Sequence, residues 1–530
     1  MKKYSIILIT TFLGLSQHLF AQNERAPMLK REQLLWISPN IESSNAAALS
    51  SLYSELPELR GVSDFGLIFY YDKGTLGCPR TPESTRNTMF STKSVQRFDN
   101  TFVSAFFDYR FQNLNNAQWY NLMDGTFRPN AMSDSTPGPF SSEAFFTGVK
   151  VGHRINDKHT IGIAANYNIG TSAKSVDLRN INRKLYFDIG PSWMLQQEWG
   201  NIGVDLALSH TVEDIRYEQL ITEEGQFIFR MEGLWFFNRE NFPRTSPINR
   251  FIQDAGYTAN LKLDLNIGQM MWYNQFGASY TDGFMKLRTT VTEEQFGDQE
   301  VLKYTYRSTL KINPQNQIRV NIQNSTLLAY SLVQRSEINE QTRIQKFVTY
   351  ARNRHSSEVR NTADFTYAYA SLRNGNPIDQ SWKLEVGGSY FQHVITQRRF
   401  PFLFQQTVNI YEGFASFNKN IPTSRFIFDV KPSVSFEKGN GTMNEMINLT
   451  GTTARPQEGV QFLPQLKHEF DYLTSTKLGV GLEATIAYPL KNYRQTALFL
   501  TARAHHKQAF DTDLKDFSRT YLSLNLGLSF

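Results

Sequence analysis

The sequence predicts an all-β protein, a transmembrane antiparallel up-and-down β-barrel of about 18 strands, within a range of about 14 to 20 and even in number. Three observations predict this fold. Apolar and polar residues alternate with a period of two in many segments, short and long connections follow each other in turn, and the last residues form one more alternating strand. A short N-terminal segment that does not alternate precedes the barrel.

Composition narrows the class of protein. Lys and Arg total 55 and Asp and Glu total 49, so the net charge of +6 gives no case for a nucleic-acid partner. The 41 Phe and 24 Tyr argue against disorder, and the mean hydropathy of −0.41 suggests elements with one apolar and one wet face. The single cysteine, Cys78, allows neither an intrachain disulfide nor a zinc site built from cysteines.

The first 21 residues have the pattern of a secretory signal peptide. Lys2 and Lys3 precede an apolar run, and Ala21 followed by Gln22 forms the expected cleavage site. The alternative is a membrane anchor, but the run is shorter than the roughly 20 apolar residues that a spanning helix needs. The expected division is therefore a signal peptide over 1–21, an N-terminal segment over 22–61 and a barrel with long extracellular loops over 62–530.

The alternating segments are the main signal for the barrel. Clear examples are residues 160–170, 202–209, 261–268, 317–323 and 477–487. Successive side chains of a strand point to opposite faces, so each segment has one apolar face and one polar face. Soluble sandwiches share this pattern. Segments of about 10–13 residues, with Gly, Asn and charged residues on the polar face, favour membrane-spanning strands around a wet lumen.

The connections are expected to alternate between short periplasmic turns and long outer loops. Short connections are predicted near 156–158, 197–201, 268–269, 313–316, 374–379 and 419–423. Long loops are predicted over about 113–142, 171–183, 213–254, 282–299, 332–358 and 438–460. This strand count has a parity fault, because it needs one more or one fewer strand between 438 and 493.

The C-terminal residues alternate strictly. The apolar face of this strand consists of Leu522, Leu524, Leu526, Leu528 and Phe530. The strand resembles the signal that the outer-membrane assembly machinery of Gram-negative bacteria reads, and this resemblance implies insertion by that machinery. Together with the start of the chain and the Phe-, Tyr- and Asn-rich strands, residues 60–530 resemble outer-membrane barrels of Bacteroidota. The resemblance implies contact with outer-membrane lipid and lipopolysaccharide and reaches no family of known function.

The segment 22–61 is expected to contain a short helix over 45–54, capped by Ser43 or Ser44. Residues 45–49 resemble the segment that plugs the lumen in the long-chain fatty-acid transporter family. The alternative is a periplasmic helix that rests on the barrel mouth. The first alternating ribbon, 62–71, belongs either to the barrel or to the plug.

Charged residues on the polar faces are expected to line the lumen. In a wide pore they would set ion preference, and in a tight barrel they would pair across the interior. Because the signs are mixed, we favour structural pairing and expect no strong ion selectivity. The predicted lumen charges are Asp108, Arg110, Lys150, Arg154, Asp205, Lys262, Asp264, Arg319, Asp429, Lys431, Lys477, Glu483 and Arg503.

Two aromatic clusters in predicted loops are candidate binding surfaces. They are Trp235, Phe236 and Phe237, and Phe400, Phe402 and Phe404. The alternatives are loops that fold inward over the mouth or an interfacial aromatic girdle. Two arginine pairs, Arg398 with Arg399 and Arg352 with Arg354, are candidates to meet lipopolysaccharide phosphates.

The sequence predicts no catalytic residue, metal site or cofactor. It contains no phosphate-binding loop, nucleophile elbow or zinc-protease motif. The adjacent His505 and His506 would point to opposite faces of a strand. The predicted function is a passive or accessory outer-membrane channel or transporter for a small or hydrophobic solute.

The alternative function is a non-catalytic barrel subunit that docks on a larger outer-membrane transport or assembly complex, with a surface lipoprotein or an energised receptor as the expected partner. A barrel enzyme that acts on lipid or peptide is the least favoured function. No energy-coupling box is visible near Gln22.

Overall fold

The computed structural model describes residues 31–57, 59–119, 122–123, 128–220, 226–231, 237–242, 247–288, 293–338, 340–341, 345–377, 379–448, 450, 463–490, 496–511, 514 and 517–530. The predicted cleavage site at Ala21 and Gln22 lies outside these ranges, as do the loop residues Trp235 and Phe236.

Within the described residues, eighteen strands form one closed antiparallel sheet, which confirms the predicted fold and strand number. The barrel strands are β1 (Gly61–Gly74), β2 (Ser84–Phe98), β3 (Thr101–Ala117), β5 (Gly138–Arg154), β6 (His159–Lys174), β7 (Arg179–Gln197), β8 (Gly200–Glu218), β11 (Ile248–Ile267), β12 (Met270–Arg288), β13 (Glu293–Asn313), β14 (Asn316–Ile338), β15 (Gln345–Leu372), β16 (Gln380–Arg399), β17 (Phe402–Pro422), β18 (Ile427–Asn448), β19 (Lys477–Pro489), β20 (Ala497–Ala509) and β21 (Ser518–Ser529).

Smaller elements lie outside this sheet. A second, three-stranded sheet contains β4 (Met132–Ser133), β9 (Phe227–Met231) and β10 (Phe237–Asn241). The helices are α1 (Arg31–Ile37), the 3-10 helices η1 (Pro39–Glu42) and η2 (Ala46–Ser51), α2 (Leu52–Glu55), the 3-10 helix η3 (Arg373–Gly375) and α3 (Leu463–Thr474). No helix among the described residues combines the length and apolar character needed to cross a bilayer.

The barrel closes where its first and last strands meet. β1 pairs with β21 through partners such as Phe65 with Leu528 and Phe69 with Leu524. The amide of Ser63 also donates to the carbonyl of Phe530 at 2.7 Å. The ribbon at 62–71 is therefore a barrel strand, and the closed ring leaves no open sheet edge within the bilayer.

The outer face of the barrel is apolar, as a lipid-facing wall must be. Leu206, Leu208 and Leu526 are 58%, 56% and 55% exposed, and their sequence neighbours point inward. A water-soluble protein does not expose such a continuous belt of large apolar side chains. A closed antiparallel barrel with an apolar exterior is the architecture of proteins that span the bacterial outer membrane with β-strands. The protein is therefore located in the bacterial outer membrane.

The two ends of the barrel differ. At one end, which we call the turn end, adjacent strands are joined by brief turns such as 99–100, 198–199 and 268–269. At the other, the loop end, lie the connections 118–137, 219–247 and 449–476. Outer-membrane barrels place short turns in the periplasm and long loops outside, which orients this barrel.

The predicted long loops at 171–183, 282–299 and 332–358 were wrong. These stretches are mostly strand, and β15 alone has 28 residues. The predicted length of about 10–13 residues was too short because strands continue beyond the bilayer, where the outer face no longer needs to be apolar. The structure also resolves the parity fault at 438–493. This region holds the end of β18, then the helix α3, and then β19 as the one complete strand of its described part.

The N-terminal residues 31–57, which we call the inner segment, pack against the inner face of the barrel. A Cβ atom on Gly152 of β5 would lie 2.6 Å from the carbonyl oxygen of Ala46. A Cβ atom on Gly162 of β6 would lie 2.5 Å from the amide nitrogen of Ala47. The chains approach this closely only because both wall positions are glycines.

The helix predicted over 45–54 is instead the 3-10 helix η2 followed by the four-residue α2. The predicted cap by Ser43 or Ser44 was wrong. Asn45 is the N-cap residue and makes no side-chain cap hydrogen bond, and the Ser44 hydroxyl donates to Asp205 of the barrel wall.

The loop end is filled by inward-folded segments, which we call the loop cover: the described parts of 118–137 and 226–242, together with α3. Met132 and Ile228 of the small sheet are fully buried against Ile215 of β8 and Ile252 of β11. In a separate cluster, Phe229 of the small sheet packs with Leu466 of α3. These apolar contacts hold the cover inside the mouth.

Candidate functional site

The inner segment is held to the wall by polar contacts in addition to apolar packing. Asp205 of β8 accepts the Ser44 hydroxyl at 2.9 Å and the Asn260 amide at 2.6 Å. Asp264 of β11 accepts the Asn40 amide at 3.2 Å. Further contacts are Ala47 N to Ser192 Oγ at 3.0 Å, Asn45 Nδ2 to Val204 O at 3.1 Å, Lys150 Nζ to Ser43 O at 2.6 Å and Trp36 Nε1 to Pro314 O at 3.0 Å.

Four predicted lumen charges therefore lie beneath the inner segment. Asp205 and Lys150 bond to it directly, and Lys262 pairs with Asp264 at 2.9 Å. The side chains of Lys262 and Asp264 are only 3% and 6% exposed. A buried pair of this kind is retained only with good geometry, since each charge loses its hydration. These residues hold the segment rather than line open water.

On the other side of the inner segment the lumen contains a polar chamber with a volume of about 440 Å³. Leu35 and Glu42 of the inner segment form one wall. The opposite wall consists of residues of β1, β2 and β16 to β21, including the inward-facing Asn418 and Thr501. The charged lining is balanced, with Lys93, Lys383, Lys431 and Arg503 against Glu42, Asp64, Asp429 and Glu483.

Ion pairs organise the chamber wall. Glu483 of β19 and Arg503 of β20 pair at 2.8 Å. Glu385 of β16 pairs with Lys431 at 3.4 Å, Lys383 at 3.5 Å and Arg319. The Glu385 carboxylate is thus shared by three cations. Sequence reasoning missed Glu385 and Lys383, although their place in an alternating stretch with Leu384 and Val386 was a usable signal.

The remaining predicted charges have local partners. Asp108 accepts the Ser91 hydroxyl at 2.5 Å. The Arg110 guanidinium lies 5.1 Å from the ring centre of Phe146. Asp429 accepts the Asn420 amide at 2.8 Å. Arg154 pairs at 2.8 Å with Asp157 in the turn between β5 and β6.

A second network, which sequence reasoning missed, ties α3 and its neighbours at the loop end. Arg80 of the first outer connection pairs with Glu469 of α3 at 2.7 Å. Glu437 binds both Lys477 and Lys507 at 2.5 Å. Because the partners come from separate strands and connections, no local pattern in the sequence relates them.

The aromatic residues predicted to form a loop surface separate in the structure. Phe404 is fully buried with Leu466 and Ile395, and Phe402 packs against the same cluster. Of the three side chains described, Phe400 alone is exposed, at 82%. The cause is that the chain turns over 400–401 and re-enters strand at Phe402, so Phe402 and Phe404 face inward. Phe237 lies in β10, and its side chain is outside the described part.

The contacts of the described barrel histidines do not form a catalytic arrangement. His393 lies 3.2 Å from Glu358, and His210 lies 3.5 Å from Gln253. The ring of His505 contacts that of Tyr521, whereas His506 bonds to Thr520 on the opposite face of β20. No group of three or more His, Cys, Asp or Glu side chains with metal-binding geometry occurs among the residues described.

The chain is similar in fold to several solved outer-membrane proteins. One is the outer membrane transporter YddB from Escherichia coli, with 8% identity, 89% of this chain and 81% of that chain covered, and a TM-score of 0.36. Another is BauA, the ferric preacinetobactin receptor from Acinetobacter baumannii, with 7% identity, 88% and 80% covered, and a TM-score of 0.38.

The RagAB peptide importer in its closed-closed state has 5% identity, 88% of this chain and 86% of that chain covered, and a TM-score of 0.39. At these values the likenesses carry no conclusion about function. Among curated proteins none matches this chain. One family has a sequence model that matches residues 50–530, most of the chain. The chain therefore belongs to the Family of unknown function (DUF6850).

Proposed function

We propose that this protein is a gated outer-membrane channel for small polar solutes. The observation that carries the proposal is the polar chamber beside the inner segment. In this account the inner segment is a plug that closes the turn end and limits passage. Solute would pass along the chamber wall once the inner segment has moved.

The lining of the chamber favours a polar solute over the hydrophobic one that the sequence also allowed. An apolar solute would displace water from Lys431, Glu483 and Arg503 without replacing its hydrogen bonds, which is costly. Because the basic and acidic groups of the chamber are equal in number, its potential is weak. Neutral or zwitterionic solutes therefore fit better than strongly charged ones.

The contacts of the inner segment suit a gate. Its apolar side chains, including Leu49 and Leu52, pack with Phe102 of β3 and Val62 of β1. Its polar contacts lie on the opposite wall, at Asp205 and Asp264. We infer that the polar side releases first while the apolar side, next to the covalent connection to β1, acts as the pivot.

Planar-bilayer conductance and liposome swelling with small sugars test the proposal. Deletion of residues 31–55 should raise both. Asn418→Trp narrows the chamber and should lower the flux through the deletion variant. Ala278→Trp places a tryptophan on the lipid-facing wall of β12 instead and should change neither conductance nor swelling. A deletion variant that folds but stays sealed would refute the channel.

A second candidate function, a subunit that docks on a larger complex, is supported by one feature. Beyond Ser331 and Ser356 the described part of the β14–β15 hairpin pairs only with itself. Val333 and Ile338 are 50% and 66% exposed on this ribbon. A lone two-stranded ribbon is marginally stable in water, so a partner such as a surface lipoprotein or energised receptor would stabilise it. Loss of co-purifying protein after deletion of 333–350 would support docking.

Export and insertion complete the proposal. We infer cleavage between Ala21 and Gln22, and recognition of Leu522, Leu524, Leu526, Leu528 and Phe530 by the assembly machinery of a Bacteroidota-type envelope. Leu522, Leu524 and Leu526 are 45%, 43% and 55% exposed on the lipid-facing wall. The N-terminal mass of the mature protein tests the cleavage, and membrane insertion of a Phe530→Ser variant tests the signal.

A further inference from the structure

The lipid-facing wall near the barrel closure contains a groove of about 660 Å³, which we call the alanine groove. Its floor consists of Ala484, Ala502 and Ala504 on β19 and β20. Its sides include Phe69, Tyr71, Leu522 and Leu524. Small residues flanked by large ones leave a trough in an otherwise full apolar surface, and a trough of this kind accepts an acyl chain.

The groove slopes through the bilayer. Arg86 lies at one end of the groove, and it is twelve residues along β2 from Phe98, the residue of that strand at the turn end. Leu482 lies at the other end of the groove, and it is seven residues along β19 from Pro489, which is also at the turn end. At about 3.3 Å per residue and a strand tilt of about 40°, Arg86 lies about 30 Å above the turn end and Leu482 about 18 Å. The groove therefore descends from the outer interface into the hydrocarbon.

On the lipid-facing side, the described cationic groups of the groove lie at its upper end. The exposed Arg86 guanidinium is 5.9 Å from the ring centre of Tyr71. One row higher, Lys73 stands opposite Thr520 across the barrel closure. Glu83 approaches Lys73 at 3.9 Å with both side chains about half exposed, so it offsets that charge only weakly.

We propose that the alanine groove binds lipopolysaccharide of the outer leaflet, with acyl chains in the trough and a lipid A phosphate on Arg86. A guanidinium binds phosphate through paired, charge-assisted hydrogen bonds, and an apolar trough directly below it matches an amphiphile with a phosphorylated head. The groove crosses five strands, about 19 Å, so it offers room for more than one acyl chain. This inference does not depend on solute passage.

The barrel supplies a matched control on another wall. A second groove of about 580 Å³ is lined by Leu206, Leu261, Phe276, Ala278 and Tyr304. No Lys or Arg is among the described residues that line it. It has the apolar trough without the cation, so it separates specific binding from ordinary contact with lipid tails.

The test is titration of the detergent-purified full chain with lipid A, dephosphorylated lipid A and phosphatidylglycerol, followed by native mass spectrometry. Arg86→Gln should weaken lipid A binding at least about tenfold, and removal of the phosphate should have no further effect in that variant. Ala502→Trp should block the groove, with Ala484→Leu as a milder substitute if the first variant misfolds. Ala278→Trp should bind as the unchanged protein does.

Two results would overturn the assignment. One is unchanged lipid A affinity in folded Arg86→Gln and Ala484→Leu variants. The other is equal binding of phosphatidylglycerol and lipid A by the unchanged protein, since the groove would then be a phospholipid site.

Discussion

The hydroxyl of Ser44 offers the sharpest test of the gate. It donates to both carboxylate oxygens of Asp205, at 2.9 and 3.1 Å, and it accepts the Gln275 amide at 2.9 Å. Ser44→Ala removes these bonds from the inner segment and leaves the wall intact. A hydrogen bond to a charged group contributes about 1.5–3 kcal/mol, so the equilibrium constant for the docked state should fall by about 10- to 150-fold.

Single-channel recording in planar bilayers measures this shift as open probability. Ser54→Ala is the matched control, because the Ser54 hydroxyl donates at 2.9 Å to Ser51 within the inner segment itself. We expect frequent openings for Ser44→Ala and unchanged behaviour for Ser54→Ala. If deletion of the inner segment opens the channel while Ser44→Ala behaves like Ser54→Ala, the polar contacts of Ser44 do not hold the inner segment in its docked state.

Three further predictions concern charge, packing and pH. Glu385→Gln leaves Arg319, Lys383 and Lys431 without their shared carboxylate, so the reversal potential under a salt gradient should move toward anion preference. Phe404→Ala removes a fully buried ring of β17 that packs against the loop cover and should cost about 3–5 kcal/mol in urea unfolding. Burial raises the pKa of the Glu55 carboxyl, with Lys311 opposing the shift, so the docked state is most stable below the ordinary value of about 4.3 and weakens as the pH rises through the raised pKa. Channel opening should therefore increase with pH over that window, and Glu55→Gln should remove the dependence.

Each of these predictions has its own control. An unchanged reversal potential for Glu385→Gln would mean that solute does not pass the chamber wall. Phe400→Ala removes an 82% exposed ring and should leave unfolding within about 0.5 kcal/mol of the original. A pH response that persists in Glu55→Gln would assign the titration to another group.

The barrel could be predicted because its signal is local. Any strand with lipid on one side and polar contacts on the other must alternate at every residue, so a few consecutive positions are enough to reveal it. Val480 and Leu482 face lipid on β19 while Glu483 faces inward. Strand ends were predicted poorly because β15 extends past the bilayer, where residues such as Tyr350 no longer obey the rule.

The site could not be predicted to the same degree because its contacts are long-range. Ser44 meets Asp205 across 161 residues, and Asn40 meets Asp264 across 224. Nothing in the local sequence of either partner specifies the other. The burial of Phe404 has the same cause, since it depends on Leu466 of α3, which enters the mouth from a separate connection.

The central claim is that solute passes through an aqueous chamber lined by alternate residues of the barrel strands. Asn525 of β21 lines that chamber, and Leu526 beside it is 55% exposed to lipid. In a Cys78→Ser background of the deletion variant lacking 31–55, a charged thiol reagent should lower the current through Asn525→Cys and leave that through Leu526→Cys unchanged. Complete labelling of Asn525→Cys without loss of current would contradict the claim.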